Sequence, residues 1–272
     1  MKIKKRKNKF LLPIVTLVGL FLLGMSSHIK IVTYDIESSK VDKAIKMILL
    51  TDLHSCSYGE NQKDLLDAVN GEKPDIILFS GDIFDDKMDN TATLIALESL
   101  SELYPCYYVT GNHEIWSGQV NQMKEVLKTM NIHVLEGDSK VVNVRGQEIN
   151  ICGVDDPTID GLIGEEKFRD QLLNLKHTKE NGLYTILLSH RPEYIESYLE
   201  IGFDLILAGH AHGGQWRLPG IINGLYAPGQ GLFPEFAGGQ YKVLLSEMIV
   251  SRGLAKESTP VPRFFNRPEV VY

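Results

Sequence analysis

The chain has 272 residues, 43% of them hydrophobic, which is enough to bury a full core in one large domain. Its formal net charge is −7, and many of its basic residues lie at the N-terminus, so the acidic remainder excludes a general nucleic-acid binder. Three cysteines without a Cys-x-x-Cys pair exclude a disulfide framework and a zinc–thiolate site, and we predict ordinary packed thiols at Cys56, Cys106 and Cys152.

Residues 1–28 are predicted to form a basic flank followed by a membrane segment. Residues 10–25 are apolar apart from Thr16, and the six basic residues before them are Lys2, Lys4, Lys5, Arg6, Lys7 and Lys9. No clear signal-peptidase site follows the apolar stretch, so we predict a single-pass signal anchor rather than secretion after cleavage. The positive-inside rule then places residues 29–272, predicted as one catalytic domain, on the extracytoplasmic side of a bacterial cytoplasmic membrane.

Short apolar runs alternate with amphipathic segments from residue 29 onward, and this alternation predicts an α/β fold with largely parallel core strands. Strands are predicted at 29–36, 47–51, 75–80, 106–110, 184–189 and 204–208, with a hairpin at 141–151. Helices are predicted at 60–69, 92–103, 118–130 (capped by Ser117), 163–175 and 193–199. The tail from Gly213 is richer in Gly and Pro and is predicted to form meandering strands and loops.

Five of the predicted strands end in polar side chains that could bind a metal. These side chains are Asp52 and His54, Asp82 and Asp85, Asn112 and His113, His190, and finally His210 and His212. A single aspartate or histidine after a strand is usually a turn residue or a packed side chain. Five such strand ends together instead indicate a site at the carboxyl edge of the sheet.

The residue types at these strand ends predict a hydrolytic metal centre. Oxygen and imidazole ligands without sulfur suit Mn²⁺, Fe or Zn²⁺. The ligands are too many for one tetrahedral ion but sufficient for two ions that share a carboxylate. Such a pair clamps the attacking and leaving oxygens of an in-line displacement, with a bridging hydroxide as the nucleophile. A further histidine could protonate the leaving alkoxide, so hydrolysis of a phosphate ester is the predicted reaction.

The five motifs also resemble those of the calcineurin-like metallophosphoesterases, in order and over the whole body. They are Asp52-x-His54, Gly81-Asp82-x-x-Asp85, Gly111-Asn112-His113-Glu114, His190 and Gly209-His210-x-His212. The resemblance implies an α/β sandwich of two mixed sheets flanked by helices. Residues 209–215 and the segment from Ser251 to Glu269 resemble a membrane-anchored subgroup similar to UDP-2,3-diacylglucosamine pyrophosphatases.

The resemblance implies a role for each site residue. Asp52, His54 and His212 would hold one divalent ion, Asn112, His190 and His210 the other, and Asp82 would bridge the two. His113 would be the catalytic acid, oriented by Asp85, and Glu114 would be structural. Mn²⁺ is the favoured ion, with Fe, Zn²⁺ and Co²⁺ as alternatives.

One position departs from the family pattern. Protein-phosphatase members carry an arginine after the residue that matches Asp85, whereas this chain has Asp86 followed by Lys87. The departure argues against a protein phosphatase and leaves the phosphate-binding cation open, with Arg191 as a candidate.

The expected substrate is a phosphorylated small molecule or a lipid-linked phosphoester or pyrophosphate. The lipid hypothesis rests on the predicted membrane segment and on the loop at 225–236, which carries Leu232, Phe233 and Phe236. Gly213 and Gly214 are predicted to leave clearance for this substrate above the metals. A metallopeptidase would show His-Glu-x-x-His, which is absent. The remaining alternative is a non-catalytic, membrane-tethered protein of the same fold that binds metal or phosphate.

Overall fold

The computed structural model describes residues 11–158, 162–256 and 261–272, so the predicted basic flank lies outside the described residues. The α-helices are α1 (Leu11–Gly24), α2 (Lys63–Glu72), α3 (Thr91–Ser101), α4 (Asn112–Trp116), α5 (Val120–Thr129), α6 (Leu162–Asn174) and α7 (Ile195–Ile201). The strands are β1 (Lys30–Val32), β2 (Met47–Leu50), β3 (Ile76–Ser80), β4 (Cys106–Val109), β5 (His133–Val134), β6 (Asp138–Val144), β7 (Gln147–Gly153), β8 (Tyr184–Leu188), β9 (Leu205–Ala208), β10 (Tyr226–Ala227), β11 (Gly231–Leu232), β12 (Gly239–Val243), β13 (Ser246–Val250) and β14 (Glu269–Val271).

The strands form two six-stranded mixed sheets and one small hairpin. The first sheet has the order β1-β14-β2-β3-β4-β5, the second has the order β12-β13-β9-β8-β7-β6, and β10 pairs with β11. The strands β2 to β5 are parallel to one another, as are β7, β8, β9 and β13. The predicted sandwich of two mixed sheets with helices is therefore confirmed.

The core strands are buried on both faces, which explains why they are continuously apolar. In β3, Ile76 and Leu78 belong to the cluster between the two sheets, whereas Ile77 and Phe79 point to the opposite face. That face packs against α2, α3 and α5 through residues such as Leu65, Leu97 and Leu127. Because alternate strand residues point to opposite faces, two apolar layers require an unbroken apolar run.

Most predicted elements are confirmed within one to three residues at their ends, but two predictions are wrong. The first strand is shorter than 29–36, because β1 pairs with β14 only over Lys30–Val32. Ser117 does not cap α5, whose N-cap residue is Gln119. Ser117 instead ends α4, where its hydroxyl donates to the Glu114 carbonyl oxygen at 2.6 Å.

Helix α1 carries a dense set of apolar side chains on its surface. Leu17, Leu22 and Leu23 are each about two-thirds exposed, while Phe21 contacts the ring of Phe264 at a centroid distance of 5.8 Å. Among the described residues, no helix combines the length and the apolar character needed to cross a membrane. The N-terminal membrane segment stays a prediction.

All three cysteines are buried, as predicted for packed thiols, and none of them forms a disulfide with another. Burial raises the pKa of both the Cys106 and the Cys152 thiols to about 12. Since the thiolate is the reactive form, we expect these two thiols to react with iodoacetamide at pH 8 about 10³-fold more slowly in the native protein than in urea. Mass spectrometry of peptides from timed alkylations measures this ratio, and rapid native labelling at either position would contradict it.

Candidate metal centre

The carboxyl ends of five strands meet at one edge of the sandwich. Strands β2, β3 and β4 are neighbours in the first sheet, and β8 and β9 are neighbours in the second. A buried serine joins the two groups: the Ser80 hydroxyl donates to the carbonyl oxygens of Ser189 (2.7 Å) and Leu207 (3.0 Å). The polar residues that follow these strands therefore converge, as the sequence predicted.

Four of the predicted ligands form a first cluster with the spacing of a metal site. One ligand atom from each of Asp52, His54, Asp82 and His212 lies within 4.8 Å of the others. His54 Nε2 is 3.5 Å from Asp82 Oδ2, and His212 Nε2 is 3.6 Å from Asp52 Oδ1. Asp52 is fully buried, and the backbone N–H of His210 donates to its carboxylate.

A second cluster shares Asp82 with the first. It contains Asp82, His190 and His210, with His190 Nε2 at 3.1 Å from Asp82 Oδ2 and at 3.2 Å from His210 Nδ1. Asn112 follows β4 beside them, and the neighbouring His113 N–H donates to Asp82 Oδ1 at 2.8 Å. One carboxylate therefore belongs to two groups of ligands.

The buried atoms of these clusters fit divalent ions. Buried polar atoms normally have hydrogen-bond partners. Three atoms of these clusters are buried without one: His54 Nε2, Asp82 Oδ2 and Asn112 Oδ1. Oxygen and imidazole atoms that are buried without hydrogen-bond partners are available as ligands for Mn²⁺, Fe or Zn²⁺.

The electrostatics of the clusters agree with cation binding. Burial disfavours a charged His190, but the Asp82 carboxylate, together with those of Asp52 and Asp156, outweighs burial and raises the pKa of His190 to about 10. The carboxylates thus attract positive charge to the place where an ion would lie. At the rim, burial lowers the pKa of both His210 and His212, which favours the neutral imidazole that a metal needs.

The ligands occupy strained backbone conformations. Positive φ angles between 46° and 64° occur at five ligands: Asp52, His54, Asp82, His210 and His212. This region is uncommon for residues other than glycine and costs about 1–3 kcal/mol per residue. The surrounding structure must therefore hold these five residues in place.

Glycines next to the ligands allow close packing inside the protein. A Cβ at Gly209 would lie 2.5 Å from Asp52 Oδ2, and a Cβ at Gly213 would lie 2.2 Å from Asn266 Oδ1. A Cβ at Gly214 would meet the backbone of Gly224 at 2.3 Å. The prediction that Gly213 and Gly214 leave clearance for substrate is therefore wrong, because protein atoms fill that space.

Glu114 connects the loops that carry Asp82 and Asn112. It is 1% exposed, and its carboxylate accepts hydrogen bonds from the Tyr108 hydroxyl and from the backbone N–H groups of Asp82, Ile83, Phe84 and Gly111. The structure thus agrees with the structural role that the resemblance implied.

We expect Glu114→Gln to lower the free energy of unfolding by about 3 kcal/mol, because an amide nitrogen would face backbone donors in place of a carboxylate oxygen. Urea unfolding measures the loss. The matched control is Glu98→Gln, on the exposed surface of α3, for which we expect a change within about 0.5 kcal/mol. Equal stabilities of the two variants would contradict the role of Glu114.

His113 lies beside the first cluster and contacts two carboxylates. Its Nδ1 is 2.7 Å from Asp86 Oδ1 and 3.6 Å from Asp85 Oδ2. The same Asp85 oxygen lies closer to His54, at 3.2 Å from Nδ1 of that ring. Burial raises the pKa of Asp85, but the hydrogen bond from His54 and those from the Lys87 and Met88 backbone N–H groups together outweigh burial and lower it to about 2. Asp86 is therefore the nearer partner of His113, whereas Asp85 mainly supports a metal ligand. The sequence marked Asp86 only as a departure from the family pattern.

Arg191 is already engaged by protein carboxylates. Its Nε is 2.7 Å from Asp156 Oδ2, and its Nη1 is 3.4 Å from Glu193 Oε1. Glu193 also lies 3.7 Å from His210 Nε2, so it belongs to the rim of the site. Sequence patterns did not identify Asp156 or Glu193, although Glu193 follows His190 by only three residues.

Comparisons with known proteins identify the family of this chain. The family model for the calcineurin-like phosphoesterases matches residues 45–214. The chain is 33% identical over 265 residues to an uncharacterized metallophosphoesterase of Aquifex aeolicus, covering 92% of this chain and 95% of the relative. It is 33% identical over 210 residues to an uncharacterized metallophosphoesterase of Helicobacter pylori, covering 74% of this chain and 54% of the relative. A solved structure from Thermus thermophilus, that of the protein TT1561, covers 78% of this chain and 92% of its own, at 14% identity and a TM-score of 0.49.

Proposed function

Because the chain belongs to the calcineurin-like phosphoesterase family, we propose that it hydrolyses a phosphate ester at a centre of two divalent ions. The observation that carries the two-ion proposal is the Asp82 carboxylate, which lies within both ligand clusters. Asp52, His54 and His212 would hold one ion, and Asn112, His190 and His210 would hold the other. Bound ions supply positive charge to the phosphoryl oxygens and lower the pKa of a water molecule.

The residues around the ligands then complete the reaction. As water adds to phosphorus and the P–O ester bond breaks, the leaving oxygen needs a proton. His113 has Nδ1 turned toward Asp86, so Nε2 is the ring nitrogen that can donate this proton. Asp85 holds the ring of His54 through Nδ1, which keeps Nε2 of His54 directed at the first cluster.

Metal analysis of the full chain, combined with an assay on bis(4-nitrophenyl) phosphate with added Mn²⁺, tests this proposal. We expect about two ions per chain, as in two-metal hydrolases, and complete loss of hydrolysis after chelation. Full hydrolysis after metal removal would overturn the mechanism. Metal binding without hydrolysis of any phosphoester would instead support the alternative of a non-catalytic, membrane-tethered metal-binding protein.

We also propose that the substrate carries an acyl chain and that α1 associates with a membrane. A Cβ at Gly229 would lie 2.3 Å from Glu193 Oε1, so the β10–β11 hairpin lies beside the rim of the site. Leu232 and Phe233 at its end are about two-thirds exposed, while Phe236 packs beneath against Tyr241. Exposed apolar side chains on this hairpin and on α1 support a lipid surface as the partner.

Phe233→Ala tests this proposal, since it removes an exposed ring at the end of the β10–β11 hairpin. We expect about a tenfold loss of kcat/KM on an acylated phosphoester, equivalent to about 1.4 kcal/mol, and no loss on a short-chain analogue. The control is Leu245→Ala in the β12–β13 turn, at the opposite end of the second sheet from the metal ligands. Equal losses on both substrates would remove support for an acylated substrate, and unchanged vesicle binding after deletion of residues 1–28 would remove support for the anchor.

A further inference from the structure

We propose that two buried side chains of the segment 262–266, Arg263 and Asn266, position two ligands of the same metal ion. These ligands are Asp52 and His212, which the proposed function assigns to one ion, so the inference rests on that function and adds positioning residues to it. Their φ angles are 50° and 46°, and strained backbone of this kind persists only where neighbouring residues hold it. Each of the two ligands is held by a different side chain of the segment.

The loop 252–255 holds the backbone of Asp52. The Leu254 N–H donates to the carbonyl oxygens of Thr51 and Asp52, both at 3.1 Å. A Cβ at Gly253 would lie 2.5 Å from the Cβ of Asp52, so the loop packs directly against the ligand. The strained conformation of Asp52 therefore depends on the position of this loop.

Arg263 in turn holds the loop. Its Nε donates to the Ala255 carbonyl oxygen at 2.6 Å and its Nη1 to the Arg252 carbonyl oxygen at 2.7 Å, so one guanidinium binds both ends of the loop. The Arg263 residue is 7% exposed, and no carboxylate of the described residues forms an ion pair with it. Burial of a charged group is costly unless hydrogen bonds satisfy it, and the hydrogen bonds of Arg263 are made to this loop.

Asn266 holds the second ligand in a similar way. It is fully buried, and its Nδ2 donates to the carbonyl oxygens of His212 at 2.7 Å and Gln215 at 3.2 Å. A Cβ at Gly213 would lie 2.2 Å from Asn266 Oδ1, so the amide packs against the residue that follows the ligand. The Phe264 N–H adds a hydrogen bond to the Gln215 carbonyl oxygen at 3.1 Å.

The ligands of the other ion are held by different parts of the chain. His190 Nδ1, for example, lies 2.9 Å from the Ser80 carbonyl oxygen at the end of β3. Among the described residues, no hydrogen bond joins the segment 262–266 to any of the three ligands assigned to that ion. We therefore expect a change at Arg263 or Asn266 to weaken the binding of one ion more than that of the other.

Calorimetric titration of the metal-free full chain with Mn²⁺, together with metal analysis of the loaded protein, tests the inference. Arg263→Lys keeps the charge but lacks the planar fork that reaches two carbonyl oxygens at once, and Asn266→Ala removes the amide. Residues that orient metal ligands contribute about 10–100-fold to metal affinity. We expect each variant to bind one ion about 10–100-fold more weakly than the wild type and the other within about threefold of it.

Arg267→Lys is the matched control. The Arg267 guanidinium also donates to two backbone carbonyl oxygens, but these belong to His28 and Ile29, which are not metal ligands. We expect wild-type affinities for both ions from the control. Hydrogen exchange of the wild type gives a readout that needs no variant: because coupling between sites is reciprocal, Mn²⁺ should slow exchange of the loop 252–255 by about tenfold.

Equal weakening of both ions in Arg263→Lys and Asn266→Ala would overturn the inference, as would exchange of the loop that Mn²⁺ does not slow. If neither variant folds, the exchange measurement alone decides. A wild type that binds no ion would overturn the proposed function together with this inference. Two ions in the wild type, with unchanged affinities in both variants, would overturn the inference alone.

Discussion

Replacement of His113 by alanine is expected to lower kcat by about 10²–10⁴-fold on an ester with an alkyl leaving group, which needs a proton as it departs. The loss should be smaller for 4-nitrophenolate, a leaving group that is stable as the anion. Metal content should not change, because His113 is not one of the proposed ligands. Its ring contacts the ring of His54, and its backbone N–H, which alanine retains, donates to Asp82. Steady-state kinetics on the two ester types, with metal analysis of the same sample, measure the effect.

His177→Ala is the matched control for this variant. His177 lies on the exposed surface, where its Nδ1 contacts the carbonyl oxygen of Asn174. We expect wild-type kinetics from the control. Equal losses on alkyl and aryl esters in His113→Ala would contradict proton donation, and a loss of bound metal would show that His113 acts as a ligand.

Asp82→Asn is expected to remove both ions rather than one. The Asp82 Oδ2 atom lies 3.1 Å from His190 Nε2 and 3.5 Å from His54 Nε2, so one oxygen faces both clusters. An amide at this position either turns a nitrogen donor toward the ligands or offers a single neutral oxygen. Since a bound ion contributes several kcal/mol to transition-state stabilisation, we expect activity to fall by about 10³-fold or more.

Elemental analysis and circular dichroism distinguish this result from misfolding. Asp82→Asn should fold and should hold fewer than about half of the ions of the wild type. Asp89→Asn provides the control, because Asp89 is exposed and an asparagine oxygen can still accept the Thr91 N–H. Retention of both ions by Asp82→Asn would contradict a shared carboxylate.

The strand ends could be predicted from the sequence because their signal is local. An apolar run followed at once by Asp, Asn or His contains both the strand and the ligand, as in Ile76–Ser80 followed by Asp82. The arrangement of the tail could not be predicted in this way. Strand β14 lies between β1 and β2, and β13 lies between β12 and β9, through pairings with residues far apart in the sequence. Five-residue patterns do not specify such partners.

The residues that tune the site were also beyond a reading of the sequence. Asp85 and Asp86 are adjacent and chemically identical, and only the backbone after β3 determines which carboxylate lies nearer His113. The pairing of Arg191 with Asp156 joins residues 35 positions apart. Sequence patterns therefore located the ligands, whereas the partners of those ligands depend on how the two sheets pack.

The positive φ angles at five of the ligands have a consequence for how this chain changes over generations. Glycine at any of these positions would relieve the backbone, so random substitution that improves stability would tend to erase the ligands. The opposite pressure comes from metal binding and catalysis, and at Asp52 and Asp82 also from the hydrogen bonds that their carboxylates accept from backbone N–H groups. A descendant that no longer needed the reaction would be expected to lose Asp52, His54, Asp82, His210 or His212 early, while keeping its core and its fold.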